Sequence, residues 1–220
     1  QEALTAFKKA LAFNPHHSGA YYNMGNVLRD QGEIQQAISA YKKAVSLKSD
    51  YAKAYNNMGI TLQNQGKLEE AIAAYRTLLS LTPNNPEAYC NLGNALKEQK
   101  KPDDAIMAFK KALSLQPSHY RAYYNWGNLL KDQGRLEEAL EAYEKAVSIQ
   151  PDYVQAFANM GTTLKDQGRL NEAINAYRKV LSINPNHAEV NFNLGTLLWL
   201  QKDFENAFAL MEWRWKIEQQ

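Results

Sequence analysis

Apolar positions along this chain fall into pairs of helical stripes separated by short polar breaks. In residues 52–85, Ala54, Tyr55, Met58, Gly59 and Leu62 recur at the three- and four-residue spacing of an amphipathic helix. The stretch NQGK (64–67) closes that helix, with Gly66 placed to take the left-handed conformation of a C-terminal cap. Leu68, Ala71, Ile72, Tyr75, Leu79 and Leu81 then mark the stripe of a second helix, and TPNNP (82–86) breaks it. Glu69 and Glu70 fall in the first turn of this helix and Arg76 further along, as the helix dipole favours. No strand pattern interrupts the series, so the expected fold class is all-α, built of helix–turn–helix pairs.

The pairs are strictly periodic. Gly25, Gly59, Gly93, Gly127, Gly161 and Gly195 are spaced by 34 residues, as are Ala37, Ala71, Ala105, Ala139, Ala173 and Ala207. Gln31 through Gln201 form another register, and Asn23, Asn57, Asn91, Asn125, Asn159 and Asn193 a fourth. The period defines units 18–51, 52–85, 86–119, 120–153, 154–187 and 188–220, with residues 1–17 reading as the second helix of an upstream unit. Gly at the eighth place and Ala at the twentieth are the small residues common to all units, so they mark close helix crossings. Neither helix can bury its stripe alone, and stacking of units supplies a continuous core.

Within one unit, the order Tyr55, Met58, Gly59, Leu62, Ala71, Tyr75, Leu78, Pro83 resembles the tetratricopeptide repeat, whose pattern runs W-x2-L-G-x2-Y, then A-x3-F, then P. The resemblance covers almost the whole chain. It implies a right-handed α-solenoid whose first helices floor a concave groove. In such arrays the second, fifth, sixth, ninth, twelfth and thirteenth places of the first helix look into that groove. The resemblance therefore places Asn23, Asn57, Asn91, Asn125, Asn159 and Asn193 in a row along it. Asn26, Asn94 and Asn128 take the ninth place, Tyr22 and Tyr124 the fifth, and Lys97, Lys131 and Lys165 the twelfth.

An Asn side chain offers one acceptor and two donors, which matches a peptide bond's own groups. A ladder of asparagines would hold an extended peptide by its backbone, and the tyrosines would stack on its side chains. The alternative is a structural hydrogen bond within or between neighbouring helices. Six interior asparagines cost a helical array on the order of 3 kcal/mol against alanine, so one of these uses is called for. The fifth place never holds Lys or Arg, so the lysine pair that clamps a terminal carboxylate in other such domains is missing.

The asparagine row and the phrase AYCNLGNALKEQ (88–99) are similar to the repeats of the O-linked N-acetylglucosamine transferase family. EWRW (212–215) resembles the junction at which bacterial repeat arrays precede a glycosyltransferase-like domain. These likenesses imply an alternative to a peptide-binding module: the substrate-recruiting arm of a larger glycosyltransferase. A self-assembling scaffold is a third reading.

Composition narrows the field. A net charge of +2 over 220 residues argues against a nucleic-acid partner or a membrane surface. The longest apolar stretch, around TLLWL (196–200), is far short of a membrane span. The lone Cys90 cannot form an internal disulfide, which points to a cytoplasmic setting. His16, His17, His119 and His187 all fall in turns between units, too far apart to share a metal, and read as surface residues. Asp103/Asp104 and Glu137/Glu138 open second helices, where the dipole accounts for them. Cys90 has no recurring His partner and reads as a small groove residue. No catalytic residue, metal or cofactor is expected, and the partner is a protein or peptide.

Three places depart from the pattern. Lys100 and Lys202 stand where the capping Gly belongs, at about 1 kcal/mol each if the left-handed turn is kept. In the last unit Trp199 replaces a basic or polar residue, Met211 an aromatic and Arg214 a small apolar residue, so stacking should end there, with the tryptophans either folded over the final core or forming a docking face. A first residue of Gln, already within a helical pattern, suggests a piece of a longer chain. Helix 1–17 would then leave Leu4, Phe7 and Leu11 partly uncovered and allow end-to-end contacts between copies.

Overall fold

The computed structural model describes residues 2–217, with side chains through Trp215. Two units are distinguished, one ending at Pro117 and one beginning at Ser118. The first comprises α1 (Glu2–Phe13), α2 (Ser18–Asp30), α3 (Ile34–Leu47), α4 (Ala52–Asn64), α5 (Leu68–Leu81), α6 (Pro86–Glu98) and α7 (Pro102–Leu115). The second comprises α8 (Tyr120–Asp132), α9 (Leu136–Ile149), α10 (Val154–Asp166), α11 (Leu170–Ile183), α12 (Ala188–Leu200), α13 (Phe204–Met211) and α14 (Arg214–Ile217). No strand occurs among the described residues.

Within the first unit α2 pairs with α3, α4 with α5 and α6 with α7, while α3 packs on α4 and α5 on α6. The second unit repeats this with α8/α9, α10/α11 and α12/α13. First helices also touch one another, α2 with α4 and α4 with α6, and α8 with α10. Each unit is thus an all-α solenoid of stacked hairpins in which the first helices lie side by side.

The recurring glycine has a specific neighbour. A Cβ on Gly25, Gly59 or Gly93 would lie 2.6 Å from a ring carbon of Tyr41, Tyr75 or Phe109, the aromatic of the same hairpin's second helix. In the second unit Gly127 and Gly161 face Tyr143 and Tyr177 in the same way. All five rings are wholly buried, and burial of each contributes about 1.5–3 kcal/mol. The glycine therefore seats an aromatic ring, and at Gly127 it also admits the Ala139 backbone carbonyl, 3.2 Å from the Cβ position. In the last hairpin, where Met211 replaces the ring, Gly195 meets Met211 and Leu210 instead.

Turns inside the hairpins share one geometry. At Gly66, φ is +69°, and the Lys67 amide donates back to the Leu62 carbonyl at 2.9 Å. Lys100 and Lys202 keep this turn at φ 60° and 65°, so a lysine is held where glycine is favoured. Pro102 begins α7 at the first helical turn, where its missing N–H is harmless.

Several sequence expectations change here. The histidines are not idle turn residues: the Nδ1 atoms of His17, His119 and His187 cap α2, α8 and α12, accepting from Ala20, Ala122 and Val190. They do the work that Asn85 does for α6, and His119 is only 6% exposed. Cys90 is buried at 2% exposure and does not face a groove, and Leu81 lies at the exposed margin of its stripe. The tryptophans of the last hairpin divide, with Trp213 half-buried and the other two exposed. Trp199 is 41% exposed, meeting Phe204 and Phe208 edge-on at 4.8 and 5.2 Å, and Trp215 is 63% exposed. On α1, Leu4, Phe7 and Leu11 are half-buried and Phe13 is exposed, the apolar edge that the end-to-end expectation invokes.

The glutamine register also acquires a partner. Gln99 donates to Glu69, Gln167 to Glu137 and Gln201 to Asn171, each 30 residues back on the preceding hairpin's second helix. Gln65 accepts from Gln35 at the same separation. These bonds tie neighbouring hairpins together at the turn edge.

Candidate functional site

The side-by-side first helices carry the residues singled out from the sequence. In the first unit, α2 contributes Tyr22, Asn23 and Asn26, α4 contributes Asn57, and α6 contributes Asn91, Asn94 and Lys97. Asn23 is exposed, and the others are half-buried. In the second unit α8 contributes Tyr124, Asn125, Asn128 and Lys131, α10 contributes Asn159 and Lys165, and α12 contributes Asn193, all half-buried.

Four of the first unit's side chains form one hydrogen-bonded group. The Tyr41 hydroxyl donates to Asn26 Oδ1 at 2.8 Å. Asn57 Nδ2 donates to the same Oδ1 at 2.9 Å and to Tyr22 Oη at 3.2 Å. The second unit holds the same group: Tyr143 donates to Asn128 Oδ1 at 2.8 Å, and Asn159 Nδ2 donates to Asn128 Oδ1 at 2.7 Å and to Tyr124 Oη at 3.3 Å. In both cases the sixth-place Asn of one hairpin is tied to the ninth-place Asn of the hairpin before it. The asparagine row thus has a structural use at these two points.

Elsewhere the group is altered by single residues. Ile60 takes the ninth place on α4 and cannot accept, so the Tyr75 hydroxyl turns to Gln63 Oε1 at 3.1 Å and Asn91 reaches Asn56 Oδ1 at 3.4 Å. In the next hairpin Phe109 has no hydroxyl to offer to the ninth-place Asn94. Thr162 replaces the asparagine beside Tyr177, and their hydroxyls lie 3.2 Å apart. Burial pushes the Tyr41 phenol up to about 12 and raises those of Tyr75, Tyr143 and Tyr177 as well, so all remain protonated donors at neutral pH.

Tyr22 and Tyr124 are also packed from within. Tyr22 lies against Tyr51 and Tyr41 at 5.1 and 6.2 Å between ring centroids, and Tyr124 against Tyr153 and Tyr143 at 5.1 and 6.0 Å. Each keeps one edge open. In the first unit that edge borders a cavity of about 240 Å³ lined by Tyr22, Ala52, Lys53, Asn56, Asn57 and Glu87. One cation and one carboxylate flank it, and its wall combines the polar groups of Asn56, Asn57 and Asn85 with a larger apolar share that includes Ala52 and Leu78.

Larger clefts lie elsewhere. One of about 550 Å³ in the second unit is walled by Tyr123, Trp126, Leu130, Ala142 and Lys145. Matching clefts recur at Tyr21, Met24, Leu28, Ala40 and Lys43, and at Phe157, Met160, Leu164, Ala176 and Lys179. Recurrence at one register marks them as crevices of hairpin packing, and none contains a residue of the asparagine row. Among the described residues no group of three His, Cys, Asp or Glu is placed to hold a metal, and no helix is long and apolar enough to cross a membrane.

Comparison with known proteins extends this picture. Models described as TPR repeat match residues 25–66, 64–100, 127–168 and 161–202, and models described as tetratricopeptide repeat match 6–39, 86–119 and 108–141. Among solved structures the chain is similar to MamA, at 28% identity over 78% of this chain and 94% of that one, with a TM-score of 0.66. It is similar to YrrB, described as a TPR protein with an unusual peptide-binding site, at 26% identity over 90% of this chain and 98% of that one, with a TM-score of 0.63. PilF of Pseudomonas aeruginosa shares the fold, at 21% identity, 88% coverage of each chain and a TM-score of 0.76. No curated protein shows a significant match.

Proposed function

Since the chain belongs to the tetratricopeptide repeat family, we propose that the surface made by its first helices holds an extended segment of a partner protein. As an array of such repeats the chain is a non-catalytic protein-interaction module. The observation that carries the finer reading is the cavity at Tyr22 and Asn57. It is open, flanked by Lys53 and Glu87, and carries the Tyr22 hydroxyl and the Asn56 and Asn57 amides in its wall, which supports the groove reading. YrrB, an array of comparable length, is described as having a peptide-binding site, which supports a peptide as the partner class. Within each unit the ladder reading extends to its other asparagines, Asn23 and Asn91 alongside Asn57 in the first and Asn125 and Asn193 alongside Asn159 in the second, which would contact the main chain of a bound segment. Lys97, Lys131 and Lys165, beside Asp132 and Asp166, would form a mixed-charge rim. The reading as a recruiting arm of a glycosyltransferase rests on the phrases AYCNLGNALKEQ and EWRW alone, and no structural observation adds to it.

Amide chemical-shift mapping during titration with a random peptide library tests the site. Shifts should cluster on α2, α4 and α6, or on α8, α10 and α12. Shifts confined to the second helices, α3, α5, α9 and α11, would overturn the proposal.

A further inference from the structure

Resting on the groove reading above, we infer that the core tyrosines Tyr41 and Tyr143 are positioning residues for peptide recognition, holding the Asn57 and Asn159 amides in the one orientation that presents an acceptor to a ligand's N–H. Asn57 has two N–H donors, and both are engaged inside the protein, one by Asn26 and one by Tyr22. Its outward hydrogen-bonding capacity is therefore the carbonyl oxygen Oδ1, which meets only the distant Asn56 amide at 3.4 Å. Asn159 is held identically by Asn128 and Tyr124.

Tyr41 sets the direction. Its hydroxyl and the Asn57 amide fill both lone pairs of Asn26 Oδ1 and fix that oxygen toward α4. Turning the Asn57 amide over would set its oxygen against Asn26 Oδ1 at 2.9 Å, acceptor against acceptor, with both donor bonds lost. Tyr22 completes the pattern. Its oxygen receives the Asn57 N–H, so its own O–H remains to donate, and both groups line the same cavity. A donor and an acceptor side by side match the C=O and N–H of a single residue in an extended main chain. The ligand class that fits is a peptide segment with an unsubstituted backbone N–H at the residue seated there, so proline is excluded at that position.

The chain contains its own control. Phe109 occupies the tyrosine's place against Gly93 in a hairpin of the same geometry, so loss of the hydroxyl is compatible with the fold. The test uses the whole chain, a peptide drawn from the random library as a binder, and a series of that peptide N-methylated at one residue at a time. Wild type should show a sharp loss of affinity, about tenfold or more, where methylation removes the N–H seated against Asn57 or Asn159. The Tyr41→Phe/Tyr143→Phe variant should bind the parent peptide about tenfold more weakly, or about 1.4 kcal/mol. Its methylation profile should be flattened, because the amides are free to turn. An unchanged profile in the phenylalanine variant would overturn the inference while leaving the groove reading intact. Absence of binding by any library peptide to wild type would overturn both.

Discussion

Adding one methyl group at Gly161 tests the packing logic of the repeat. A Cβ there would lie 2.4 Å from Cε1, 2.6 Å from Cδ1 and 3.0 Å from Cζ of Tyr177. Carbon atoms pack best at about 3.5–4.0 Å, so the ring would have to retreat by about 1 Å. It has little room to do so. Tyr177 is wholly buried in a cluster with Ala173, Ile174, Val180, Leu194 and Leu197, and its hydroxyl sits beside that of Thr162. Overpacking of this kind costs about 1–3 kcal/mol. Against it stands the helix preference of alanine over glycine, about 1 kcal/mol. The two terms leave Gly161→Ala destabilising by about 1 kcal/mol.

A second background separates these terms. With Tyr177→Leu the ring is gone, and only the helix preference should remain, so Gly161→Ala should then stabilise by up to about 1 kcal/mol. The sign reverses, and the coupling in the double-mutant cycle equals the overpacking term. Hairpin stacks need not unfold in one step, so native-state hydrogen exchange at the α10 and α11 amides is the preferred readout, with urea unfolding alongside. If Gly161→Ala stabilises the parent protein, or if the coupling falls below about 0.5 kcal/mol, the glycine is not there to seat the ring.

Two further perturbations follow from the turns and the buried phenols. Lys100→Gly and Lys202→Gly should each stabilise by about 1 kcal/mol, since φ values of 60° and 65° strain any residue with a Cβ; an unchanged urea midpoint would refute that account. Tyr41, Tyr75, Tyr143 and Tyr177 hold their protons in the folded state beyond the ordinary phenol value of about 10, because burial disfavours the phenolate. The unfolded chain releases them first as pH rises, so their contribution is whole below about pH 10 and lost as pH climbs toward the folded value, about 12 for Tyr41. Urea midpoints at pH 8 and pH 11 should differ accordingly, with phenolate absorbance lagging behind that of the unfolded chain; a midpoint unchanged at pH 11 would contradict this reading.

What was legible in the chain, and what was not, divides along the range of the interactions concerned. Helix stripes and turn caps are local, so Gly66, Pro102 and even the strained Lys100 could be read from spacing and turn chemistry. The histidine caps were within reach too. His17, His119 and His187 hold the place before a first helix that Asn85 holds before Pro86, and Asn there is an ordinary cap. The burial of Cys90 depends on side-chain length, since at the same place in α2 a tyrosine ring reaches the open edge of the cavity. The asparagine partners lay beyond such reasoning. Asn57 bonds Asn26, 31 residues back, and Asn26 takes its other bond from Tyr41, 15 residues ahead. Periodicity states that residues are equivalent, whereas these contacts depend on how far one hairpin is rotated over the next. Equivalence also hides the exceptions. Ile60 and Phe109 preserve the apolar pattern while each removes one member of the hydrogen-bonded group, so a row uniform in sequence is not uniform in chemistry. The complete group forms where tyrosine and ninth-place asparagine coincide, at Tyr41 with Asn26 and at Tyr143 with Asn128.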